Sequence, residues 1–142
     1  MAVRLKRIYE EPSADDGARV LVDRLWPRGL KKEKAALDAW LRELAPSNEL
    51  RQWFHVHPEQ WSVFRRRYLK ELTSETALNG LAQLYAMERE HRVLTLLFAS
   101  KNEKRNNAVV LKQLVEGERK PPSGTGPLWA AAVARVRAAR GR

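Results

Sequence analysis

The 142 residues contain no cysteine, which excludes disulfides, thiolate metal centres and cysteine nucleophiles. No apolar run approaches the roughly 20 residues of a membrane span. The opening Met1-Ala2-Val3-Arg4-Leu5-Lys6-Arg7 also lacks the apolar stretch of a secretory signal. The expectation is therefore a soluble cytoplasmic protein with no membrane partner. A glycine-rich phosphate loop, a Gly-x-Ser-x-Gly elbow and a paired metal motif are missing too, so no standard catalytic signature stands behind an enzyme assignment.

Acidic residues are in short supply, 17 against 27 lysines and arginines, and the chain carries a formal charge of +10. Arg119, Lys120, Arg135, Arg137, Arg140 and Arg142 lie in residues 119–142 without an acid, so +6 of that charge belongs to the tail and about +4 to everything else. So mild an excess in the body does not carry a nucleic-acid assignment, whereas the basic tail keeps nucleic-acid association open. With 44% hydrophobic residues, the chain has the size and composition of one compact domain. Residues 1–118 are read as that domain, and 119–142 as a basic tail, flexible or docked as a helix through Leu128 and Trp129.

Val3, Leu5 and Ile8-Tyr9 mark a first strand, and the turn-rich "EEPSADDGAR" follows it. "RVLVDRL", bounded by Gly17 and Pro27, reads as a second strand, and "RVLTLLFAS" (Arg92 to Ser100) as a third. Their continuous apolar character fits strands covered on both faces. Between the second and third strands lies a helical insertion. Leu37, Trp40, Leu41 and Leu44 predict an amphipathic helix over about 31–45, and Ser47 a capped short helix ending near Trp53-Phe54. Pro58 is placed in the first turn of a helix carrying Trp61, Phe64, Tyr68 and Leu72 on one face, and another helix runs from about Thr76 to Glu90. Asn106-Asn107 precede a final helix ended by Gly117. The order predicts an α/β fold: a small, mostly parallel sheet of three or four strands flanked by helices. The connection between the first two strands is short for a parallel crossover, which points to an antiparallel pair there.

Ligands in open α/β sheets gather beyond the carboxyl ends of the strands. Two loops are placed there, "DRLWPRG" (Asp23 to Gly29) and "SKNEKRNN" (Ser100 to Asn107). Side by side, they would set Arg24, Arg28, Lys101 and Arg105 around one crevice suited to phosphate or carboxylate. Trp26 would wall it, and Asn106 or Asn107 would hydrogen-bond the occupant. The structural alternative is as concrete: an arginine pairing with Asp23, Trp26 covering the sheet edge, and the asparagines serving as caps. Asp23 and His55 are the candidates for proton transfer. In an extended segment His55 and His57 would point the same way and offer two metal ligands, but a third is not identifiable, and no metal is assigned. At their helical spacing, Trp53, Phe54, Trp61, Phe64 and Tyr68 read first as core and only second as a stacking platform beside Arg65, Arg66 and Arg67.

Taken together, "RVLVDRLWPRGL", "WFHVHPEQWSVFRRRYLKEL" and "LTLLFASKNEKRNNAVVLKQLVE" resemble the YeaO-like family of small bacterial proteins of unknown function, from about Val3 to Glu116. The resemblance implies a compact cytosolic α/β domain and no transferable activity or cofactor. Family members often carry an acid where His57 stands, an acid at Asn102 and a histidine at Arg105. If those groups form an acid/base or metal constellation in relatives, the resemblance implies that this chain has lost much of it, which points toward anion binding or toward an inactive site. The expected function is binding of an anionic small molecule, a nucleotide or phosphorylated metabolite, with nucleic-acid association or a protein-interaction module as the alternatives.

Overall fold

The computed structural model describes residues 2–117 and 124–140. Four strands, β1 (Ala2–Arg7), β2 (Ala18–Leu21), β3 (Ala39–Trp40) and β4 (Val93–Phe98), form one sheet in the order β1-β4-β2-β3 with every neighbouring pair parallel. The helices are α1 (Lys32–Ala35), α2 (Asn48–Val56), α3 (Trp61–Glu71), α4 (Glu75–Glu90), α5 (Asn107–Glu116) and α6 (Gly126–Arg140). The α/β architecture matches the reading of the sequence.

The two faces of the sheet are covered differently, because side chains alternate along a strand. Val3, Val20, Leu94, Leu96 and Phe98 point into the main core, which Phe64, Tyr68, Leu78, Leu81 and Leu111 close from the helices. Leu21 and Leu97 face the other way, into a smaller cluster with Ile8, Ala35, Trp26, Leu30, Leu37 and Trp40. Toward the amino ends of the strands that second face turns polar. Arg4 and Arg19 both stand level with Thr95 on it, and a single 3-10 turn, Ala14–Asp16, covers them. Thr95 donates to the Asp16 carbonyl at 2.6 Å, and Asp16 pairs with both Lys6 and Arg19.

Three local expectations are corrected. First, β1 and β2 are not an antiparallel pair; β4 lies between them and all three are parallel. Residues 8–17 suffice for the return because a six-residue strand rises only about 20 Å, whereas ten extended residues span about 33 Å. Second, residues 31–45 do not form one helix. Ala36 adopts a left-handed conformation (φ 49°) that ends α1 after one turn. Asp38 then takes the Arg19 N–H on its carboxylate at 2.7 Å and gives its own N–H to the Arg19 carbonyl at 2.8 Å, drawing Ala39–Trp40 onto β2. Trp40 consequently enters the small cluster and Leu41 the main core, the opposite sides that neighbours in a strand take. Third, α3 begins at Trp61 rather than in a turn containing Pro58.

Ser47 caps α2, Ser74 caps α4 and Asn106 caps α5, each accepting a backbone N–H. Residues 118–123, 141 and 142 of the expected tail, with Arg119, Lys120 and Arg142, lie outside the described residues. The rest is α6, seated on α4 through Trp129, edge-on to Tyr85 at 5.3 Å, and buried Ala132, with Arg135 paired to Glu75 at 2.8 Å. No described helix is long and apolar enough to cross a membrane.

Candidate functional site

Parallel pairing of β2 with β4 sends the loops after both strands to the same end of the sheet. Asp23, two residues past β2, stitches them together. Its Oδ2 accepts the Ala99 N–H at 2.8 Å and its Oδ1 the Asn107 side-chain amide at 3.3 Å, while that amide also donates to the Val22 carbonyl at 2.9 Å. The exit of β1 joins the same junction. Arg7 donates to the carbonyls of Ala99 and Ser100, and the Tyr9 hydroxyl to that of Arg28 at 2.9 Å. Three strand exits therefore meet at one polar junction.

Besides Asp23, four of the expected site residues are engaged in holding the chain. The Arg24 guanidinium reaches back to the carbonyls of Ala45 and Pro46, both at 3.2 Å. Trp26 donates to the Leu30 carbonyl at 2.6 Å and packs edge-on against Trp40. Asn106 caps α5, and Asn107 makes the junction just described. Arg28, Lys101 and Arg105 instead extend from the loops as exposed cations. His55 is exposed on α2 and His57 terminates that helix, tilted on Trp53 at 5.3 Å. Their segment is helical rather than extended, so the two imidazoles do not share a direction. Among the described residues, no group of three His, Asp or Glu side chains is placed to hold a metal ion.

The structure adds charged neighbours that the sequence reading missed. Burial pushes the Asp23 carboxyl above its ordinary value, opposed by the Ala99 N–H, the Asn107 amide and the positive charge of Arg51. Arg51 lies on α2, one turn before His55 on the same stripe. Glu71 binds the N–H and hydroxyl of Ser47 at 2.8 and 2.6 Å, fixing the start of that helix. Tyr68, fully buried, donates to the Leu44 carbonyl; burial, reinforced by the charges of Asp23 and Glu71 and opposed by Arg24, holds its hydroxyl well above the ordinary range. Spacing gave no signal for Arg51 or Glu71, because only folding brings α2 and α3 over the strand exits.

Arg51→Ala is expected to raise the Asp23 titration midpoint further, read as the carboxyl 13C shift against pH. A raised carboxyl contributes stability that is present below its ordinary value near pH 4 and lost as pH rises through its folded value. The stability deficit of Arg51→Ala should therefore widen as pH rises above about 4. A midpoint that does not move would place Arg51 away from the junction.

The chain matches, over residues 2–126, the family described as the inactive DUF488-N3 subclade. It is 42% identical over 115 residues to the uncharacterized protein Rv3073c of Mycobacterium tuberculosis, a match covering 81% of this chain and 94% of the relative. To the uncharacterized protein YeaO of Escherichia coli it is 44% identical over 112 residues, 78% of this chain and 94% of that protein. No solved structure matches it.

Proposed function

The chain belongs to the YeaO-like family, in the DUF488-N3 subclade described as inactive, and on that premise we propose that it is a cytoplasmic protein that binds an anionic small molecule, a nucleotide or phosphorylated metabolite, without turning it over. The observation that supports this reading is the junction of Asp23 with Ala99 and Asn107, which roots the Arg28 loop and the Lys101–Arg105 loop at one end of the sheet. Guanidinium and ammonium groups at the carboxyl ends of parallel strands complement phosphate. Asp23 serves this arrangement as an anchor, each of its oxygens accepting a hydrogen bond that ties the two loops together. Arg24 and Trp26 serve the site by holding the loop, and Arg28, Lys101 and Arg105 supply the charge that meets the ligand.

Thermal shift against nucleotides and sugar phosphates tests the reading. A ligand at a hundred times its Kd should stabilise the chain by about 2.7 kcal/mol, and Arg28→Ala/Lys101→Ala should lose most of that gain while unliganded stability stays the same. Equal stabilisation of both proteins would reject the site. The alternative, nucleic-acid association through the tail, predicts oligonucleotide binding that falls steeply with salt. The ion pair of Arg135 with Glu75 engages one of the tail's arginines within the protein and weighs against it.

A further inference from the structure

At the opposite end of the sheet, where β1 and β4 begin, a cleft of about 650 Å³ is lined by Ala2, Arg4, Asp15, Gly17, His91 and Arg92, among others. We propose that this cleft is a second binding site, separate from the carboxyl-end loops, for a small oxyanion of the phosphate or phosphate-monoester kind.

Its charge and its fixed geometry both support such an occupant. Arg4 extends from β1 onto the polar face of the sheet, where its Nη1 donates to the Asp15 carbonyl at 3.1 Å. That bond positions the guanidinium against the 3-10 turn without neutralising it and engages one of its five N–H groups. Arg92 and His91 approach from the turn between α4 and β4, and both are exposed. Among the described residues, neither Arg4 nor Arg92 forms an ion pair. Among the side chains that line the cleft, the acid is Asp15, set against the guanidinium groups of Arg4 and Arg92. Ala2, Ala14 and Gly17 line the cleft with little side-chain bulk, and Gly17 packs directly against the Val93 backbone at the start of β4. The backbone is fixed there by the Ala2 N–H bonded to the Arg92 carbonyl at 2.9 Å. Arginine forks on a rigid frame favour an oxyanion with several acceptor oxygens over a halide, which can accept but cannot bridge.

The test is a titration of inorganic phosphate into the full-length 15N-labelled protein at constant ionic strength. Saturable shifts of the amides at residues 2–4, 15–17 and 91–93 are expected, with apparent affinity reduced tenfold or more in Arg92→Ala. Arg92 is exposed, so an unchanged thermal midpoint shows that the variant is folded. Arg28→Ala/Lys101→Ala should leave these shifts intact, which separates failure of this site from failure of the carboxyl-end reading. Shifts that never saturate, that spread evenly over the basic surface, or that survive Arg92→Ala overturn the proposal.

Discussion

Gly17→Ala is expected to destabilise the fold by on the order of 4 kcal/mol, a fall in Tm of roughly 15 °C for a domain of this size. Two costs combine. Gly17 has φ 61° and ψ −132°, a region open to glycine and strained by about 1–3 kcal/mol for residues with a side chain. The added methyl would also lie 2.2 Å from the Val93 carbonyl oxygen. A flexible side chain would swing away, but a backbone carbonyl at the start of β4 can retreat only by disturbing the pairing of Ala18 with Leu94, for about 1–3 kcal/mol more. Gly29→Ala is the control. Gly29 has φ 77° but no atom near its missing Cβ, so conformational strain acts alone and about 1 kcal/mol is expected. Equal losses in the two variants, measured by urea denaturation, would show that the close approach to β4 is not what requires glycine at position 17.

That contrast bears on how much the sequence discloses. The α/β class and the caps at Ser47, Asn106 and Gly117 follow from local patterns, whereas bringing both candidate loops to one end of the sheet requires the long-range parallel pairing of β2 with β4. The helix expected over 31–45 does not form, because its 3-4-7 spacing is equally satisfied when Leu37 and Trp40 pack on one side of the sheet and Leu41 and Leu44 on the other. Nothing local distinguishes the two; the bonds of Asp38 to Arg19 decide it from 19 residues away. The candidate site shows the same division. Asp23 and Asn107 are recognisable as polar residues following apolar strands, yet their direct contact spans 84 positions. The approach of Arg51 to Asp23 depends on how α2 lies over the sheet, which periodicity along that helix does not encode.

The other large effect belongs to Asp16. Its carboxylate is almost enclosed, with 7% of the side chain exposed, and it binds Arg19 at 2.5 Å and Lys6 at 3.1 Å while accepting the Ser13 N–H in a reciprocal cap. Asp16→Ala would leave the Arg19 guanidinium, itself 5% exposed, buried without its counter-charge, a change that costs about 3–5 kcal/mol. The damage should spread, because the same guanidinium holds the carbonyls of Ala35 and Ala36, where α1 gives way to β3. Hydrogen exchange at the Asp38 amide, bonded to the Arg19 carbonyl, should accelerate in parallel. Acid provides an independent check. Burial alone would raise the Asp16 carboxyl, but the Ser13 N–H, Lys6 and Arg19 outweigh it and hold the group below its ordinary value. A lowered carboxyl contributes stability that is complete above its unfolded value near pH 4 and lost as pH falls through the folded value. The stability gap between wild type and Asp16→Asn should stay constant from pH 7 to about 4 and close below that. A gap that is flat down to pH 2 would mean that packing and neutral hydrogen bonds, rather than the carboxylate charge, anchor the 3-10 turn to the sheet.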